Sequence, residues 1–156
     1  GQIHAQIGLL AYASGDDKLA EEHLPKAGMR ATEAKLAHAA MEYRRGRKEQ
    51  ALEAVDIAIR ANKKQIMPYH VYAWMLMKDG DKDRAINKLL AADKVDSGNE
   101  STKENLERLR NGKKLNMKRF GMGWFGLQLE KPPAQYRAQQ GMAGRKGFRQ
   151  KPQRRR

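Results

Sequence analysis

Over residues 1–111 apolar positions recur three and four apart, and no window alternates apolar with polar residues as a strand would. Ala, Leu, Glu, Lys and Arg dominate this stretch, all good helix formers, and proline interrupts it only at Pro25 and Pro68. The pattern predicts an all-α body. It also repeats. A small residue or glycine is followed by a glycine seven positions on, an alanine five later and a second alanine seven after that. The copies are Gly8, Gly15, Ala20, Ala27, then Ala39, Gly46, Ala51, Ala58, then Ala73, Gly80, Ala85, Ala92, offset by 31 and 34 residues.

A helix-turn-helix unit accounts for each position. Gly15, Gly46 and Gly80 stand where a first helix (A) must stop and turn back, which needs a left-handed backbone. Ala20, Ala51 and Ala85 fall on the inward stripe of the second helix (B), where a small side chain lets two helices approach. Leu24, Val55 and Leu89 lie one turn on along the same stripe. Pro25, late in the first helix B, predicts an early end to that helix and explains the shorter first spacing. Residues 100–111, with Leu106 and Leu109 facing inward, read as one more amphipathic helix between "KVDSGN" and Asn111-Gly112.

On these spacings the chain resembles the tetratricopeptide repeat, a family of 34-residue helix-turn-helix units. The resemblance implies an α-solenoid: a repeat domain over 1–112, with copies at about 1–30, 31–65 and 66–96, a capping helix at 100–111, and about seven helices in all. A cap is expected because the last unit of such an array has no neighbour to cover it. The usual large aromatic early in helix A is missing from the first copy, is Lys35 in the second and is Tyr69 in the third.

The family also lines a concave groove with its A helices. Carried over residue by residue, the partner-binding groove comprises Leu9, Tyr12, Leu36, Ala40, Tyr43, His70, Trp74 and Met77, with Arg44 and Lys78 at one rim and Leu106 and Leu109 contributed by the cap. Such an apolar, aromatic-edged channel suits a helix or an extended apolar peptide. The Lys and Asn pattern with which some family members clamp a terminal carboxylate is absent.

Charge divides the chain into a near-neutral body and a strongly basic C-terminal part. The chain carries +14 overall, but from Lys113 onward there are thirteen Lys and Arg against the single acid Glu130, which leaves +2 for residues 1–112. Six glycines and three prolines share those 44 residues, so 113–156 reads as a basic, largely irregular extension. Inside it, residues 120–129 concentrate Phe120, Met122, Trp124, Phe125, Leu127 and Leu129. So much apolar surface is unfavourable in water at roughly 25 cal/mol per Å², so this segment is expected to dock on its own body or on a partner. The alternation at Leu127 and Leu129 suggests an extended peptide, ended by Pro132-Pro133. Further on, Arg145, Lys146, Arg149, Lys151, Arg154, Arg155 and Arg156 form a polyanion-binding run suited to nucleic acid or another acidic surface.

Candidate chemistry is thin. There is no cysteine, and His4, His23, His38 and His70 are spaced too widely for one helix face and form no metal-binding pair. The glycines of "GMGWFG" match GxGxxG, but no strand precedes them and no acid stands beyond them at the distance a dinucleotide site needs. The acids Asp16, Asp17, Asp79, Asp81 and Asp83 sit at turns and helix starts, where they favour the helix dipole. The reading is a non-catalytic adaptor with no cofactor, no metal and no small-molecule substrate; its partners are a peptide in the groove and an acidic surface at the tail. The alternative is an RNA- or ribosome-associated protein driven by the tail. The chain opens on Gly1-Gln2, so a processed or truncated product is expected, cytoplasmic or tethered to a membrane through a segment ahead of it.

Overall fold

The computed structural model describes residues 2–136, and all regular structure among them is helical. Seven longer helices run in chain order: α1 (Gln2–Ser14), α2 (Asp17–His23), α3 (Thr32–Arg44), α4 (Lys48–Ala61), α5 (Met67–Lys78), α6 (Lys82–Val95) and α7 (Glu100–Arg110). A 3-10 turn, Leu24–Lys26, prolongs α2, with Pro25 in its first positions. The ring removes an N–H that an α-helix would need, so α2 closes at His23. After α7 come a second 3-10 turn, Lys118–Phe120, and the single-turn α8 (Met122–Phe125).

The long helices pair as α1 with α2, α3 with α4 and α5 with α6, each pair joined by a connection too short for anything but antiparallel packing. The second helix of each pair then lies against the first of the next, α4 on α5 and α6 on α7. Between the first two pairs that part is played by the Leu24–Lys26 turn, which touches both α1 and α3. The result is a helical-repeat-like all-α architecture.

The three connections inside the pairs turn on Gly15, Gly46 and Gly80, at φ +86°, +80° and +75°. No heavy atom lies within 4 Å of where a Cβ would stand at any of them, so glycine is needed there for its backbone and not for room. Gly8 is the opposite case. A Cβ on it would come within 2.6 Å of Leu24 Cδ2, so the missing side chain is what lets α1 meet the Leu24–Lys26 turn. Ala20, Ala39, Ala51, Ala58, Ala73, Ala85 and Ala92 are fully buried, which gives the remaining positions of the repeat their reason. Asp16 and Asp81 cap α2 and α6 through the N–H groups of Leu19 and Arg84, at 3.1 and 3.3 Å.

The core runs the length of the stack and does not stop at α7. Leu115, Met117, Trp124, Phe125 and Leu127 belong to it as fully as the helices do. The segment is not extended, as the alternation at 127–129 suggests, but wound into turns. Trp124 and Phe125 are adjacent and both buried, which a strand of period two cannot achieve on one face but a helical turn can. Gly121, at φ +58°, opens that turn.

Candidate functional site

Of the residues expected to line a groove, Tyr12, Arg44, His70 and Trp74 are in contact with the chain's own segment after α7. Leu36, Tyr12 and Trp74 are buried; Leu9, Tyr43 and Met77 are half-buried; Arg44 and Lys78 are exposed at the edge. Trp74 is the hub. The edge of one ring meets the face of another at Trp74–Trp124 (centroids 5.1 Å, 65°) and at Tyr43–Trp74 (5.8 Å, 62°), while Lys78 Nζ stands 4.7 Å over the Trp74 ring. Trp124 is fully buried, and its indole N–H donates to Glu130 at 2.8 Å.

Polar groups fasten both ends of this cover. Tyr12 donates its hydroxyl to the Leu127 carbonyl at 2.6 Å, and Gln128 Nε2 returns a bond to the Tyr12 carbonyl at 3.0 Å. Arg44 lies over the Tyr12 ring (5.8 Å) and donates to Gln128 Oε1 at 3.2 Å. Burial, the larger effect, raises the Tyr12 phenol above its ordinary range against the opposing pull of Arg44. Gln128 sits at φ +62°, an unusual conformation for a residue with a side chain, held by these two bonds.

At the other end Asn105 grips the backbone of Asn116 twice, accepting its N–H at 2.7 Å and donating to its carbonyl at 3.1 Å. The same carboxamide NH₂ donates to His70 Nδ1 at 3.0 Å, so that nitrogen carries a lone pair and His70 Nε2–H is left to donate to Thr102 Oγ1 at 3.1 Å. His70 is therefore not a groove residue open to a partner. It is completely buried, its pKa pushed down to about 4 by burial, with its ring centroid 5.0 Å from that of Phe120 in an edge-on arrangement. Glu104 ties the segment again through Asn116 (2.9 Å) and Arg119 (3.1 Å); the Asn116 bond chiefly holds its carboxyl below the usual range.

What remains open is a cleft of about 740 Å³ between α1, α3, the start of α5 and the segment. Ala5, Leu9, Leu36, Ala37, Met67, Phe120, Met122 and Leu127 give it apolar walls; Arg30, Glu33 and Gln65 stand among its polar residues. A second cleft, of about 570 Å³, is lined by Leu24, Pro25, Lys35, His38, Glu42, Glu53 and their neighbours and is more polar. Of the docking residues, Phe120 and Leu127 thus form part of a wall, and Trp124 and Phe125 are core. The polyanion-binding run Arg145, Lys146, Arg149, Lys151, Arg154, Arg155 and Arg156 lies outside the described residues.

Some contacts were not anticipated from the sequence. His4 and His23, nineteen residues apart, meet with their Nδ1 atoms 2.9 Å apart, because the Gly15 turn folds α2 back along α1. Asn105 carried a readable signal: it shares the inward face of α7 with Thr102, Leu106 and Leu109, and a polar residue on an apolar stripe is there to bond something. Among the described residues no group of three or more His, Cys, Asp or Glu side chains is placed to hold a metal, and no helix is long and apolar enough to cross a membrane. No family model matches the chain, and no curated protein matches it significantly.

Proposed function

We propose that this protein is a non-catalytic interaction module, a tetratricopeptide-like solenoid that receives apolar side chains of a partner peptide or helix. The observation that carries this reading is the apolar cleft of about 740 Å³ left between the first helices of the stack and the docked segment. Its size falls within the range of ligand-binding clefts, and its walls are hydrophobic with a few polar groups at fixed places. The succession of helix pairs, each laid on the next, supports the solenoid reading. In this reading the segment 113–129 is a built-in wall of the binding surface: its Trp124 and Phe125 are too deeply buried to serve as a readily exchanged ligand.

Gly123 lies on the cleft in a conformation open to any residue, and a Cβ there would meet only Met67 Sδ and Cε, at 3.5 and 3.8 Å. A Gly123→Leu variant therefore narrows the cleft without entering the core. Partners captured by the native chain and lost by this variant, at unchanged melting temperature, support the reading; partners retained at full strength count against it.

The charge asymmetry favours a second reading, association with RNA or another polyanion through the extension. Its signature is salt. Binding through several Lys and Arg falls steeply between about 50 and 200 mM salt, whereas capture in an apolar cleft changes little. A titration of the whole chain with single-stranded RNA over that range distinguishes the two.

A further inference from the structure

Two imidazoles meet in the first helix pair, and neither lines a cleft. His4 Nδ1 and His23 Nδ1 stand 2.9 Å apart, with ring centroids at 5.1 Å, so the two nitrogens lie between the rings and not at their faces. Nineteen residues separate the pair, and no spacing motif announces it. The backbone sets the distance. His4 lies one turn ahead of Gly8 on the same face of α1, and His23 directly precedes Leu24. There the two chains touch: a Cβ on Gly8 would fall 2.6 Å from Leu24 Cδ2 and 3.1 Å from the Leu24 backbone nitrogen. With Leu24 and Ala20 fully buried beneath, α1 and the end of α2 cannot move apart without opening the core. A hydrogen bond between two Nδ1 atoms needs a proton on one and a lone pair on the other. Glu22 Oε2, 3.8 Å from His23 Nε2, favours the His23 proton at that edge of its ring, which leaves His23 Nδ1 as the acceptor.

We propose that His4 and His23 form a two-nitrogen site for a zinc-class divalent cation, which clamps the end of α2 to the start of α1. Neutral imidazole suits zinc, nickel and copper, whereas magnesium and calcium take oxygen ligands. In tetrahedral zinc, nitrogens at about 2.0–2.1 Å from the ion lie about 3.3 Å from one another, so the pair has to open by only about 0.4 Å and tilt its lone pairs toward one point. The ion takes the place of the shared proton. That proton passes to the other nitrogen of the partly exposed His4 ring, and both imidazoles stay neutral. Glu22 and Lys26, the charged side chains acting on His4, oppose one another, so binding rests on nitrogen coordination and not on net charge.

The test uses the whole ¹⁵N-labelled chain, free of any histidine tag, with zinc chloride added at about pH 7.5. Melting is followed by circular dichroism, and the imidazole nitrogens by long-range ¹H–¹⁵N correlation. Zinc at about a hundred times its dissociation constant should raise Tm by about 5–10 °C, and the same concentration of magnesium should leave it unchanged. The His4 and His23 nitrogens should shift together while those of His38 and His70 stay in place. His4→Ala and His23→Ala should each weaken zinc binding about tenfold or more, and His38→Ala should bind as the native chain does. His4→Gln and His23→Gln repeat the comparison with a polar side chain retained, should an alanine variant melt early without metal. No zinc-dependent shift at millimolar concentration, or binding that survives the loss of either histidine, overturns the site. So does a zinc effect undiminished at about pH 5, where protons displace metal from imidazole but not from carboxylates.

Discussion

Replacing Trp124 by alanine tests whether the segment after α7 belongs to the fold. Its side chain is fully buried, packs edge to face on Trp74 at 5.1 Å, and bonds Glu130 at 2.8 Å. Removing a buried Trp costs about 3–5 kcal/mol through lost transfer energy and the cavity left behind. That is a large part of the roughly 5–15 kcal/mol holding a domain together. For a chain of this size each kcal/mol lowers Tm by about 2–4 °C, so Trp124→Ala should melt about 6–20 °C below the native protein by circular dichroism at 222 nm. Trp124→Phe, which keeps a ring against Trp74 but loses the bond to Glu130, should fall only a few degrees. Hydrogen exchange completes the assay: amides of α5 and α7 should lose protection together with those of 113–129. A Trp124→Ala protein that melts within a degree of the native one, with protection lost over 113–129 alone, would refute the reasoning and make the segment a separable latch.

Other outcomes rest on single contacts. Because His70 titrates near 4 when folded and near 6.5 when unfolded, acid favours the unfolded chain; stability should be full above about pH 6.5 and fall by roughly 3 kcal/mol on descending through pH 4, and His70→Leu should flatten that part of a denaturant-midpoint profile. Tyr12→Phe removes the hydroxyl from the Leu127 carbonyl and should cost about 1–2 kcal/mol in urea denaturation. Gly46→Ala, with φ at +80° and nothing near the added methyl, should cost about 1–2 kcal/mol from the backbone alone. Gly8→Ala should cost about 1–3 kcal/mol by overpacking against Leu24, and a companion Leu24→Val change should recover part of it.

Helices and their turns were legible along the chain because the information for them is local. The spacing of Gly15, Gly46 and Gly80 marked the turns, and the buried alanines marked the contacts between helices, since a left-handed backbone and a close approach each admit very few residue types. Pro25 likewise announced the end of α2, through the N–H it lacks. The need to hide Phe120, Trp124, Phe125 and Leu127 was equally plain from composition.

Where they hide was decided by the tertiary structure. The choice between covering this body and covering a partner depends on whether Tyr12 and Asn105 can satisfy the segment's backbone, and the segment's Gln128 the backbone of Tyr12, at positions up to 116 residues apart. The same closure moved His70 from a supposed groove wall into a sealed network with Thr102 and Asn105, while the turn at Gly15 brought His4 to His23. It also shaped the remaining cleft, whose walls come from α1, α3, α5 and the segment together. Periodicity reports which face of a helix is apolar; only packing determines what covers that face, because burial is a property of surfaces that meet and not of the residues that carry them.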